Sequence, residues 1–443
     1  MTIQMPRRQF LGATASAFAA LVASGCSTSG SIGRVVTTSR GEEIGYGGLV
    51  PDPAGFIDLP KGFSYRVLSQ LGETMSDGFT VPDAADGMGC FDIGDGKLAL
   101  VRNHECYPGR HDGGGVAGKA YDTVARSLVP LPGGTTTIVL DAASLAVERQ
   151  YRSLAGTIRN CAGGITPWGS WLTCEESVAK ADGKINKDHG WVFEVPAKAQ
   201  GLVDPVPLKA MGRFNHEAAC VDPRTGMVYL TEDRDDSLLY RFIPKKKGKM
   251  EAGGKLQALV LADGTLDTRN WGGVAFAPYS KRRVRWIDLD NVEAPDDDLR
   301  KRGAAAGAAL FARGEGIHMG DGELYFCCTS GGTAKLGQIF RLELSGAEDT
   351  LHLFFESTST DQFNYGDNLT IAPWGDLIVC EDQYTDPVDN YLRGIAPTGV
   401  PYPLARLRAQ TEWAGACFSP DGRTLFVNVY SPTKTIAITG PWI

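Results

Sequence analysis

The most regular pattern along this chain is a glycine turn, then five mostly β-forming residues, then a polar or charged position. Asp95-Gly96 leads into Lys-Leu-Ala-Leu-Val and reaches Arg102, and Trp168-Gly169 leads through Ser-Trp-Leu-Thr-Cys to Glu175. The same unit runs from Thr225-Gly226 to Glu232, from Asp321-Gly322 to Cys328, from Trp374-Gly375 to Glu381 and from Asp421-Gly422 to Asn428. The turn glycines supply the positive φ of a tight hairpin. Upstream of most turns lies a second apolar run with a polar or small start: Cys161-Ala-Gly-Gly, Glu217-Ala-Ala-Cys, Glu315-Gly-Ile, Asn368-Leu-Thr-Ile and Ala414-Gly-Ala-Cys. Strand, turn, strand, repeated six times, predicts an all-β chain folded as a six-bladed β-propeller with loop insertions and little helix. A seven-bladed propeller and a β-sandwich are the alternatives. Helical periodicity is confined to Asp296–Phe311. Residues 56–443 are expected to form one catalytic propeller domain, preceded by a linker over 31–55.

This hairpin has a consequence for chemistry. In an antiparallel pair the start of the first strand lies beside the end of the second. Glu217 and Glu232 hold those places in one copy, Cys161 and Glu175 in another, Asn368 and Glu381 in a third, and Glu315 and Cys328 in a fourth. The inner strands of a propeller line one channel, so these side chains are expected to form a mostly acidic ring at one rim. Such a ring needs a cation to neutralise it. Carboxylates suit Ca²⁺, and a thiolate beside them suits iron. Taken singly, each Glu reads as a solvated rim residue and Cys161 as a core thiol; recurrence at matched positions favours metal. Acidic pairs recur at Glu175-Glu176, Glu232-Asp233 and Glu381-Asp382. Strand alternation favours the first of each pair as the one facing the channel, and a bend at the strand end would reverse that.

Two Asn-His-Glu triplets, 103–105 and 215–217, place His104 and His216 as candidate ligands or partners of the carboxylates. Arg313 stands two residues before Glu315, on the same strand face, and Arg102 holds the marked position of the first copy. Guanidinium groups bind phosphate through paired planar hydrogen bonds, which makes both arginines candidates for an anionic substrate.

Composition narrows the partners. Against 52 acidic residues stand 44 Lys and Arg, a formal net charge of −8. With no basic stripe, nucleic-acid binding is not expected. The cluster Lys245-Lys246-Lys247-Gly248-Lys249 reads as a solvated loop tip. Neither a Walker glycine loop nor a GxSxG elbow is present. At the start, Arg7-Arg8-Gln9-Phe10-Leu11-Gly12 precedes an apolar, small-residue run, Ala13–Ala23. This predicts a twin-arginine export signal over 1–30, with a possible lipobox ending at Cys26. The export machinery is then a partner, the destination is the periplasm or the medium, and the only membrane attachment expected is a lipid on Cys26. The remaining cysteines show neither a paired zinc spacing nor a disulfide framework.

The segments RNHE (102–105), NCAGG through WLTCEE (160–176), GRFNHEA (212–218), VYLTEDR (228–234), RGEGI (313–317), GDNL (366–369), PWGDLIVCED (373–382) and FSPDGRTLFVNV (418–429) resemble the PhoX family of alkaline phosphatases. The resemblance runs from about Phe56 to the C-terminus. It implies phosphomonoester hydrolysis by metal-assisted displacement, with Fe³⁺ and Ca²⁺ in the propeller channel and Cys161 as the thiolate on iron. Glu232 and Glu315 would be ligands central to catalysis, and Arg313 would hold the phosphate. Glu105, Glu175, Glu217, Asn368 and Glu381 would complete the calcium and surrounding positions. Lys335 is the one candidate for a phosphate-binding lysine. The expected substrate is a small phosphoester and the chain a monomer. A calcium-dependent lactonase-like propeller and a non-catalytic envelope scaffold are the alternatives.

Overall fold

The computed structural model of the chain describes residues 36–37, 43–346 and 348–442; Arg7-Arg8, the apolar run after it and Cys26 lie outside them. Each of the six expected turns joins an antiparallel strand pair. The first strands are Ala85–Gly94, Asn160–Ile165, His216–Val221, Gly314–Met319, Gly366–Ile371 and Trp413–Phe418. Their partners are Lys97–His104, Ser170–Glu175, Val228–Glu232, Glu323–Cys328, Leu377–Glu381 and Thr424–Val429. Every first strand packs against the next, and Trp413–Phe418 returns to Ala85–Gly94, so the six close into a ring around an axial channel. The other strands radiate behind them in the manner of a propeller.

The closure is made by the two ends of the domain. Ser64–Gln70, early in the chain, pairs with Lys434–Thr439 at its end. Ile57–Pro60 adds to the sheet that carries Gly366–Ile371, and Leu49–Val50 pairs with it in turn. The sheets therefore take in residues upstream of the Phe56 start expected from sequence. The third and fourth hairpins share a nine-stranded sheet, joined where Lys281–Asp288 pairs with Thr350–Glu356. Among the described residues, helix is confined to Leu299–Ala305, inside the predicted segment, and two 3₁₀ turns.

Burial explains the near-continuous apolar runs. Strand residues such as Leu100, Leu172, Leu230, Phe326, Val379 and Phe426 lie between adjacent sheets and are almost wholly buried. Faces covered on both sides remove the polar alternation that a solvated sheet would show. All nine described cysteines are buried and free. Cys174 and Cys328 lie in apolar clusters, as a small core thiol does.

Candidate active site

All six hairpins carry the same irregularity near the start of the first strand. Two residues there oppose a single residue of the partner strand, a β-bulge: Asp86-Gly87, Cys161-Ala162, Glu217-Ala218, Glu315-Gly316, Asp367-Asn368 and Gly415-Ala416. A bulge re-aims one side chain out of the alternating pattern. Here the leading residue of each pair points into the channel, and five of the six are acids or a thiol. The following residue is small because neighbouring strands touch there. A Cβ on Gly87 would meet Ala162 Cα at 2.5 Å, and one on Gly316 would meet Asn368 Cα at 2.6 Å.

A second tier comes from the residue just past the end of the partner strand. Glu105, Glu176, Asp233 and Asp382 occupy it, and each donates its backbone N–H across the hairpin, to Ala84, Arg159, Asn215 and Tyr365 carbonyls respectively. The two tiers interleave. Asp86, Glu105 and Cys161 have ligand atoms within 4.8 Å of one another, as do Cys161, Glu176 and Glu217, and Glu217, Glu315 and Asp367. Glu412 and Tyr430 enter from the sixth hairpin; Tyr430 donates to Glu105 Oε2 at 2.7 Å.

This placement reverses the order expected within the acidic pairs. Glu175 turns away from the channel, where its oxygens accept from His189 Nδ1 at 2.6 Å and from the N–H groups of Ile158, Gly190 and Trp191. Glu232 accepts from the Tyr240 hydroxyl at 2.7 Å and lies 3.7 Å from Arg300. Glu381 accepts from Arg393 Nε at 2.7 Å and from the N–H groups of Asn364 and Tyr391. The second acid of each pair, Glu176, Asp233 or Asp382, reaches the channel instead. The strand ends at the first acid, so alternation no longer governs the next residue.

Other expected residues separate in the same way. Asn368 borders the cluster, donating to Asp367 Oδ1 and accepting from Gly415 N, while Asp367 is the residue the bulge presents. Arg102 is not at the mouth: it is fully buried and donates to the hydroxyls of Ser69, Thr136 and Thr435. The histidines are structural. His104 bonds Asp83 O and Thr136 Oγ1, and His216 bonds Gly212 O and stacks on Phe214. Burial holds His216 neutral, with its pKa lowered to about 3. Lys335 lies over the Trp271 ring. Arg313 does face the cluster, donating to Asp233 Oδ1 at 2.8 Å and Glu315 Oε1 at 3.0 Å. Glu176, Asp233 and Asp382 were visible in the sequence as the less favoured acid of each pair, whereas Asp86, Asp367, Glu412 and Arg159 were not singled out there. One signal was available: an acid or thiol followed by a small residue, as in Asp86-Gly87, Cys161-Ala162, Glu217-Ala218 and Glu315-Gly316.

The electrostatics call for cations. Burial first, then neighbouring carboxylates, pushes Asp86, Glu217, Glu315 and Asp367 well above the usual carboxylate range. Burial pushes Glu176 up against the opposing pull of Arg159. The Cys161 thiol rises for the same reasons, burial and then Asp86 and Glu217. Both oxygens of Glu217 and Oδ1 of Asp86 are buried with no hydrogen-bond partner. Orphaned carboxylate oxygens facing one another are costly without a counter-charge, and their donor set fits more than one cation. Oxygen-only groups suit a hard cation, and the groups that include Cys161 suit a transition metal.

Comparison with known proteins agrees with this geometry. The family model for alkaline phosphatase PhoX matches residues 44–143 and 134–433. Among solved structures, Pseudomonas fluorescens PhoX in complex with vanadate is similar over 93% of this chain and 97% of that one, at 20% identity and a TM-score of 0.67. A gluconolactonase from Xanthomonas campestris matches at 13% identity and a TM-score of 0.41, covering 90% of this chain and 99% of that one. A 6-phosphogluconolactonase, so named provisionally, from Bacteroides uniformis matches at 10% identity and 0.39, covering 90% of each chain. Those last two likenesses are too slight to bear on function. No curated protein matches. The chain belongs to the alkaline phosphatase PhoX family.

Proposed function

We propose that this phosphatase hydrolyses small phosphomonoesters at the rim of its axial channel, using calcium and iron held by the two tiers of acids. The observation that carries the reading is the cluster of buried, unpartnered carboxylate oxygens gathered around Cys161. Asp86, Glu105, Cys161, Glu176, Glu217, Glu315 and Asp367 would hold the cations, with Cys161 on iron. When bound, they supply Lewis-acid polarisation of the phosphoryl oxygens and a nucleophile at moderate pH. The vanadate in the P. fluorescens relative, a transition-state analogue, supports the same reaction class for this chain.

The protein's own part is positioning and charge. Glu217 and Glu315 present fixed oxygens from bulges, where the backbone cannot slide without breaking the hairpin register. Arg313 holds the equatorial oxygens of the transferring phosphoryl group, where its planar fork offers two parallel donors. Tyr430 fixes one oxygen of Glu105 and leaves Arg159 to orient the other. The buried walls below the acids exclude bulk water and raise the value of each of these contacts.

The twin-arginine motif supports export to the periplasm, and Cys26 supports a lipid anchor. Elemental analysis and p-nitrophenyl phosphate hydrolysis before and after chelation test the catalytic reading. Iron and calcium together, with activity lost on stripping and restored by the two ions, is the expected result. A protein that holds calcium alone and opens lactones would replace it with the lactonase alternative. A reporter fused to residues 1–30 that remains cytoplasmic would remove the export claim.

A further inference from the structure

The repeat that gathers the acids also defines a collar above them. Two residues ahead of the bulge stand Ala84, Arg159, Asn215, Arg313 and Tyr365, each accepting a backbone hydrogen bond from the residue that follows the partner strand. Only Arg159 and Arg313 are cationic, and the likeness between them extends further than residue type. Both hold the left-handed backbone of this collar position, with φ of +48° and +54°, which Ala84 and Tyr365 share and which is uncommon for a residue other than glycine. Each guanidinium lies across two acids of the cluster. Arg159 Nε donates to Glu105 Oε1 at 2.7 Å and its Nη2 to Glu176, as Arg313 reaches Asp233 and Glu315. Between them Asn215 Nδ2 donates to Glu176 Oε1 at 2.8 Å.

A counter-ion alone would be expected to sink fully into the acids it serves. Asp86 and Glu217 are buried with no arginine paired to them, so a guanidinium is not required to hold an acid in this ring. Arg159 instead keeps 23% of its side chain exposed and Arg313 keeps 29%, so each presents an edge to the mouth of the channel. Tyr107 covers Arg159, its ring centroid 5.0 Å away, and limits where that edge can point.

We infer that Arg159 is a second phosphate-binding residue, holding the substrate's phosphoryl group from the second hairpin as Arg313 holds it from the fourth. The inference rests on the reading of Arg313 as the phosphate ligand. Two guanidinium groups, two hairpins apart around the acid ring, suit a tetrahedral dianion better than one, because each offers donors to different oxygens.

The test compares Arg159→Lys, Arg159→Gln and Arg313→Lys in the metal-loaded protein. Four quantities are read: KM and kcat for p-nitrophenyl phosphate, Ki for inorganic phosphate, metal content and Tm. Arg159→Lys is expected to raise KM and Ki about 10-fold and Arg159→Gln about 100-fold, with smaller changes in kcat, the range for losing charge-assisted hydrogen bonds. Metal content and Tm of the Lys variant should match the parent. Unchanged KM and Ki in Arg159→Lys, with Arg313→Lys shifted, overturns the role of Arg159 alone. If both Lys variants leave KM and Ki unchanged, the reading of Arg313 falls with it. Metal loss in Arg159→Gln with Ki for phosphate unchanged would make Arg159 a positioning residue for Glu105 and Glu176 only.

Discussion

The two ends of the axial channel are built from the same six strands, yet they are chemical opposites. At one rim the bulges present Asp86, Cys161, Glu217, Glu315 and Asp367 to one another. A few residues further along, the same strands enclose a cavity of about 350 Å³ lined by Ile165, Val221, Ile317, Met319, Leu369 and Trp171. The bulge is the boundary. Before it, one side chain per strand is re-aimed toward the axis; after it, regular alternation resumes and puts aliphatic groups there. A cluster of charge and a cavity without it can thus share a channel, because one extra residue per hairpin separates them.

The largest effect should come from breaking the acid rim. Glu217→Gln removes a carboxylate whose oxygens have no protein partner, and kcat/KM is expected to fall about 100-fold or more together with bound metal. Elemental analysis beside the assay checks this, and full metal occupancy in the variant would contradict it.

The acidic pair Glu175-Glu176 offers a sharper contrast within one turn of chain. Glu175→Gln breaks a buried contact with His189 and should lower stability by about 3 kcal/mol, with metal content kept. Glu176→Gln should do the reverse, losing metal and activity with little change in denaturation midpoint of the stripped protein. Urea unfolding and metal analysis on the two variants separate them.

A pH trend distinguishes the rim from the rest of the fold. Burial raises the rim acids, and it raises Glu381 from 4.5 to about 7 and Glu232 from 4.5 to about 8. A carboxyl whose folded pKa exceeds its unfolded value favours folding below the unfolded pKa and loses that contribution as pH rises through the folded one. The chelated protein should therefore lose Tm steadily from about pH 5 to about pH 8. Metal loading should remove the part due to the rim and leave the shallower part due to Glu232 and Glu381. Equal slopes with and without metal, by scanning calorimetry, would count against cation binding at the rim.

At the apolar end the smallest change is expected. Ile317→Val trims a buried methylene beside the cavity and should cost about 1 kcal/mol in urea unfolding with activity unchanged.

The chain's own pattern determined the hairpins, their number and the end of each at which the chemistry lies, because turn glycines and β-forming runs are local signals. It also placed Cys161, Glu217, Glu315 and Arg313 at the cluster and Glu105 beside them. It could not separate Glu175 from Glu176, Glu232 from Asp233 or Glu381 from Asp382. That choice depends on where a strand stops, which is set by pairing with a distant neighbour. Asp86 carried only the local signal of an acid before a small residue, and Asp367 lacked even that, since a bulge is a mismatch between two strands and neither strand alone carries it. Arg102 occupied a repeat position that reads like a rim residue, yet the packing of Ser69, Thr136 and Thr435 around it made it part of the interior. The sequence decided which chemistry the rim would hold; the six bulges, which exist only once strands pair, and the ring that gathers them decided which side chains meet there.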